Sequence, residues 1–220
     1  MGDQSTRHLF VETNWLYSYA APAHHKVPAA VTLLERARDG EFILHIPNAS
    51  FSEARHAIQT KCQPTDAPGI HRYIRWAHKN GELNDEQAED AHRLAERYIH
   101  DIVRDLSVVP AILKEVAGLP CVNTFALDDE MLELANELAL TKAAQKPFDH
   151  AILAGILVFS SRLWNRGERG ISFAELDSEL QPWGTKGGPK SDLLRLYNGA
   201  HVWVYGDFTL QFPPRPPDFE

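Results

Sequence analysis

The sequence predicts an α/β fold, a three-layer sandwich with a mostly parallel central sheet and one helical insertion. Three observations carry this. Short apolar runs alternate with stretches of helical periodicity, the pattern of a parallel sheet covered on both faces. One long segment, about 64–109, breaks the alternation with helical pattern alone. The chain has 220 residues and 44% hydrophobic side chains, which suits one domain with a sizeable core better than two independent domains.

The elements follow in order. Residues 8–12 (HLFVE) form a short apolar strand, and Thr13 with Asn14 can end it and start a helix. Residues 27–38 read as a helix with Val31, Leu34 and Ala37 on one face, ended by Asp39-Gly40. Residues 42–46 form the second strand, closed by Pro47, and a helix is expected from about 50 to 60. The segment 64–109 opens with Pro64 and Pro68 and holds two helical stretches, 70–79 and 85–106. In the second, Ala91, Leu94, Tyr98, Ile102 and Leu106 recur at helical spacing, and Asn84 with Gln87 has the form of a capping box. Residues 122–127 are the third strand, and Asp128 caps a helix to about 141. Pro147 opens a helix to about 164 whose run AILAGILVF is apolar all round and therefore buried. Strands at 170–174 and 201–205 follow, with a helix at 191–197 between them. The tail 213–220 is proline-rich and expected to be extended.

Several function classes are set aside. A net charge of −8 argues against coating nucleic acid or anionic membrane by bulk charge. No apolar run approaches a membrane span, and the start MGDQSTRHLF lacks a signal-peptide core, so no membrane partner and a cytoplasmic location are expected. Cys62 and Cys121 are too few for a disulfide framework or a Cys-rich zinc site. There is no GxGxxG. The loop GTKGGPKS misses a phosphate-binding loop because Pro189 removes a backbone N–H that should face phosphate. The histidines form no HExxH. His24 and His25 are adjacent and cannot share a helix face, and His92 and His100 are expected to flank solvent on the inserted helix.

Four carboxylates stand out by their places in the α/β pattern. Glu12 ends the first strand, and Glu53 falls in the first turn of the helix after the second. Asp149 falls in the first turn of the buried helix, and Asp177 follows the strand ISFA. In a parallel sheet such positions gather at one edge, where ligands bind. Four acids there repel one another unless cations sit between them, and hard oxygen ligands of this kind suit Mg²⁺ or Mn²⁺. Each acid also has a structural reading. Ser50-Phe51-Ser52-Glu53 has the form of a capping box, Asp149 favours a helix dipole, and Asp177 could belong to a solvated acidic turn beside Glu175 and Glu179.

These motifs resemble those of the PIN-domain nucleases. LFVETNWLYSY is similar to that family's first strand, where an acid is followed by a small polar residue and Asn. HIPNASFSEARHAI resembles the second acidic motif, PFDHAILA the third and ISFAELDSEL the fourth. The order agrees from Leu9 to Leu180, leaving out the insertion and the proline tail. Three features depart from the family. Its first acid is usually Asp, where this chain has Glu12. The spacing from Glu53 to Asp149 is longer than in small members, and Glu175 stands where Ser or Thr is common.

The resemblance implies a PIN-like fold and a metal-dependent endoribonuclease. Glu12, Glu53 and Asp149 would be ligands to Mg²⁺ or Mn²⁺, and Asp177 would complete the site directly or through water. Asn14 would orient a carboxylate, the water or the phosphate, although it could equally be a helix-start residue. Arg55, His56 and Lys61 follow Glu53 on its helix, and Arg162, Arg166, Arg169, Lys186 and Lys190 lie near the fourth motif. They could form a local track for RNA phosphates, with solvated surface charge as the plainer reading. Trp15, Trp76 and Trp183 could stack bases, but buried packing is expected of each. Many small family members are toxins held by an antitoxin, so an antitoxin or another protein partner is a further expectation, as is a homo-oligomer. The alternative function is a non-catalytic PIN-like module that binds RNA or protein.

Overall fold

A computed structural model describes residues 7–141, 147–184 and 188–215. Five strands, β1 (Arg7–Phe10), β2 (Phe42–Pro47), β3 (Val122–Phe125), β4 (Ile171–Ala174) and β5 (Trp203–Tyr205), form one sheet in the order β3-β2-β1-β4-β5. Every pairing is parallel. The helices are α1 (Thr13–Ala20), α2 (Pro28–Arg38), α3 (Asn48–Lys61), α4 (Ala67–Lys79), α5 (Asp85–Ala117), α6 (Asp129–Thr141), α7 (Pro147–Asn165) and α8 (Ser191–Gly199). The strand and helix alternation expected from sequence is therefore present, with a fully parallel sheet.

Side chains alternate across the sheet and build two cores. Leu9, Val11, Phe42, Leu44, Ile46 and Ala174 pack with residues of α1, α2, α3 and α5. Phe10, Phe125, Ile171, Phe173 and Val204 pack on the other face with α6, α7 and α8. The run predicted to be buried fulfils that expectation, since ten residues of α7, from His150 to Leu163, are buried. Its Gly155 allows close approach: a Cβ there would lie 2.8 Å from Leu127 Cδ2 and 3.3 Å from Phe125. A polar ladder crosses the same face. His8 Nδ1 lies 2.9 Å from His45 Nε2, His45 Nδ1 lies 3.0 Å from Asn123 Nδ2, and His8 Nε2 lies 3.2 Å from Glu168.

Two caps read from sequence are present. Asn84 and Gln87 form the reciprocal capping box of α5, and Asp128 Oδ1 accepts the Met131 N–H at 3.2 Å at the start of α6. Two expectations need correcting. The first concerns α3, which begins at Asn48 directly after β2, so Ser50 is inside the helix and caps nothing. Glu53 accordingly lies beyond the first turn. The capping-box reading of Ser50 and Glu53 fails because the strand runs into the helix with no linker. The second concerns α5, which runs on to Ala117 instead of ending at Leu106 and contains Pro110. Pro110 has no N–H to give the Leu106 carbonyl, a local loss that the packing around it outweighs. Ile102, Leu106, Val109, Leu113 and Val116 carry one apolar stripe into the main core. Only the first half of α5 stands apart with α4, around a small cluster of Ile74, Ala88 and Ala95. The helical insertion expected over 64–109 thus ends inside a continuous helix.

Candidate functional site

The strand order places β1 between β2 and β4. The chain winds outward from β1 through β2 to β3, then returns to add β4 and β5 on the other side. The winding reverses between β1 and β4, and segments leaving the carboxyl ends of such a pair diverge to leave a crevice. Phe10 and Phe173 are partners in register across this pair. Two residues beyond each stands a glutamate, Glu12 and Glu175, with exposures of 5% and 0%.

The first two residues of α1, Thr13 and Asn14, hold three acids. Glu12 caps the helix, its Oε1 accepting the Asn14 N–H at 2.6 Å. The Thr13 hydroxyl donates to Glu53 Oε2. The Asn14 side-chain amide donates to Glu175 Oε1 at 3.0 Å. The Asp177 N–H donates to the same Glu175 oxygen at 2.5 Å. Asp177 Oδ1 in turn accepts the Glu179 N–H at 2.8 Å, and Gln181 fixes the turn through the Glu175 carbonyl at 2.8 Å.

Burial dominates the electrostatics of this chain of acids. It pushes the Glu12 carboxyl up to about 7, opposed by the Asn14 N–H and the Thr13 hydroxyl and assisted by the charge of Glu53. Burial also raises Glu175 well above the usual carboxylate range. The charge of Glu12 adds to this, and the Asp177 N–H and Asn14 amide pull it back. The buried Tyr197 hydroxyl is raised by desolvation and then by Glu175 and Glu12. Glu175 Oε2 is buried without a hydrogen-bond partner. The acids are all oxygen donors, repel one another and leave one buried oxygen orphaned, so negative charge is concentrated here without a cationic side chain among the principal groups acting on them. Among the described residues, no group of three or more His, Cys, Asp or Glu side chains stands in an arrangement that could hold a metal ion.

The raised Glu12 makes a prediction. A carboxyl with a higher pKa folded than unfolded contributes stability that is fully present below the ordinary value of 4.5 and is lost as pH rises through about 7. That loss is on the order of 3 kcal/mol. His45 works in the opposite sense: burial, then the charge of His8, pushes it down to about 3, so its contribution is lost as pH falls. The difference between variant and wild type cancels His45 and reports Glu12 together with the Glu175 carboxyl it repels. In EDTA, the melting temperature of Glu12→Gln relative to wild type should rise by roughly 6–12 °C between pH 5 and pH 8. A difference independent of pH would remove the buried, raised carboxyl from the account.

The other predicted residues divide. Asp149 is part-buried in the first turn of α7, as expected. The principal charges acting on Glu12 and Glu175 do not include it. Arg55 is exposed on α3 and lines a groove of about 330 Å³ with Asn48, Ser52 and Lys114, between α3 and the last turns of α5. Lys61 ends α3 with its ammonium over the Tyr17 ring at 5.7 Å. Arg162 sits 13 residues beyond Asp149, about 20 Å along the helix axis. It is engaged by Asp128, at 2.5 Å, and by Glu130, so a phosphate would have to compete with two carboxylates. Arg169 stacks on Trp164 at 3.7 Å. Lys190 bonds the Ser178 and Glu179 carbonyls beside Asp177, and Lys186 lies outside the described residues. Trp15 is buried and bonds the Ala30 carbonyl at 3.1 Å. Trp76, against expectation, is 51% exposed beside Tyr73 on α4.

The residue that sequence reasoning missed is Glu175. Its signal was available, because it follows ISFA as Glu12 follows the first strand. No protein-family model matches the chain, and no curated protein or solved structure matches it either.

Proposed function

We propose that this protein is a PIN-like endoribonuclease that depends on Mg²⁺ or Mn²⁺ and works at the carboxyl edge of β1 and β4. The observation that carries the reading is the pairing of Glu12 and Glu175 at the point where the sheet's winding reverses, buried and repelling each other. A cation would have to draw Glu12, Glu53 and Glu175 closer than they stand, since no three acids among the described residues are already arranged to hold one, with Asp177 behind Glu175 and Asp149 available on α7. When bound, the ion would lower the pKa of a water, so that on giving its proton to solvent it becomes the nucleophile for a phosphodiester, and would neutralise charge on the phosphate oxygens.

The chain's own residues do the remaining work. Thr13 and Asn14 fix the directions of the Glu53, Glu12 and Glu175 carboxylates, so little reorganisation is needed when charge develops. The groove holding Arg55 and Lys114 starts two residues from Glu53 and supplies cationic contacts for an RNA backbone in an otherwise acidic protein.

The test is direct. Purified protein should cleave single-stranded or looped RNA with Mn²⁺ or Mg²⁺, stop with EDTA, and leave a 5′-phosphate and a 3′-hydroxyl. Failure on varied RNAs across metal concentrations would overturn the catalytic reading and leave the binding module.

A further inference from the structure

A concave site lies toward the other end of the sheet from the carboxylate edge. A cavity of about 460 Å³ opens where β1, β2 and β4 begin, between α2 and the C-terminal segment. Its polar lining is Arg7, His8, Arg36, Arg215, Glu41, Ser172 and Tyr205, with the His8 ring engaged by His45 and Glu168. Three arginines against one glutamate give this lining a formal charge of +2, within a chain of net charge −8.

The arginines converge. All three act electrostatically on the Tyr205 hydroxyl, which is half-buried. Arg36 is braced in a fixed orientation: it donates to both Glu41 oxygens, at 2.7 and 2.6 Å, and to the Thr209 carbonyl at 3.2 Å. Arg7 reaches Glu41 only at 3.9 Å. Arg215 donates to Ser172 Oγ at 3.3 Å. Its pKa is lowered, first by loss of water and then by the charge of Arg7, opposed by Tyr205. Asp207, the other acid acting on Tyr205, is turned into its own loop by bonds from Thr209, Gln211 and Phe212.

We propose that this cavity binds a phosphomonoester dianion. Guanidinium forks match phosphate oxygens in geometry and charge, and a dianion neutralises the +2 lining. The cavity is larger than a phosphate group, leaving room for the group that carries it. Arg7 opens β1, whose other end leads to Glu12, so Arg7 and Glu12 stand roughly 17 Å apart along the strand. At the cavity's other end the Tyr205 carbonyl accepts the Glu175 N–H at 2.9 Å, so the two sites adjoin there and their tests must be kept apart by the metal.

The test is calorimetric titration of the full chain in EDTA, so that no cation draws phosphate to the carboxylate edge. Inorganic phosphate and 5′-AMP should bind saturably, with Kd below about 1 mM. Affinity should fall from pH 8 to pH 5.5 as the phosphate loses its second charge. Arg7→Ala and Arg215→Ala should each weaken binding about tenfold. Arg7 has a 69% exposed side chain, so its removal leaves the fold intact even if Arg215→Ala does not. Adenosine should not bind.

A 5′-phosphorylated oligonucleotide compared with its unphosphorylated form distinguishes the sources. Preference for the phosphorylated oligonucleotide over AMP would assign the site to nucleic-acid ends. Equal binding would assign it to the phosphate group wherever it occurs. The proposal is overturned by no saturable binding up to about 10 mM, by equal binding of AMP and adenosine, or by unchanged affinity in Arg7→Ala.

Discussion

Glu175→Gln should lower metal-dependent RNA cleavage by at least about 100-fold while leaving the chain folded. Loss of a partner behind a metal ligand already costs 10–100-fold, and loss of a ligand charge costs no less. The amide keeps the shape of the side chain, and its oxygen can still accept from Asn14 and Asp177, the two groups that hold Glu175 Oε1. Its nitrogen would replace an oxygen that has no hydrogen-bond partner. An unpaired buried amide costs about 1–3 kcal/mol. Against that stands relief from the acid's burial and from the repulsion of Glu12 and Asp177, which together raise the Glu175 pKa well above the usual range. The acid's cost grows as pH rises above the ordinary carboxylate value, and the amide's does not. In EDTA the variant should therefore melt below wild type at pH 5 and close to or above it at pH 8. Manganese should stabilise wild type and leave the variant's melting unchanged. Full cleavage by Glu175→Gln would remove the acid from the site. A collapsed fold at every pH would show that Glu175 serves packing alone.

How much of this site could be read from the chain depends on the kind of signal. Glu12 was legible because an acid closing an apolar strand has few structural excuses, and its near-complete burial bears out its place at the edge. The caps at Asn84 and Asp128 were legible because capping is local chemistry, decided within three residues. Glu175 was not singled out, because Glu175, Asp177 and Glu179 look alike in sequence. Only the parallel register of Phe10 with Phe173 shows that Glu175 is the one carried beside Glu12. The Ser50 cap was misread for a related reason. Propensity places a cap where a serine precedes a glutamate, but β2 runs through Pro47 and leaves no room for an uncoiled Ser50. The length of α5 was set by tertiary contact: Val109, Leu113 and Val116 bury against the sheet and hold the helix through Pro110. Trp76 shows the limit of reading burial from residue type, since α4 turns Ile74 and Ala77 inward and Trp76, two residues past Ile74, falls on its outer face.

Glu12→Asp separates the two roles that Glu12 combines. As the cap of α1, Glu12 accepts the Asn14 N–H, a task for which Asp is among the preferred residues. Helix stability should therefore survive the change within about 1 kcal/mol. As a proposed cation ligand, Glu12 needs its full length, because Glu53 and Glu175 are its charged neighbours and both are positioned by the residues just after it. Shortening the side chain by one methylene draws the carboxylate back toward the β1 backbone and away from both. A displacement near 1 Å can cost about 100-fold in rate, so cleavage should fall by about that factor with melting nearly unchanged. A site that merely tolerated Glu in place of Asp would behave in the opposite way, with Glu12→Asp cleaving faster than wild type. That result would mark the extra methylene as a lesion in the catalytic site. Equal rates in the two proteins would leave Glu12 as a helix cap and move the chemistry to Glu53, Glu175 and Asp149.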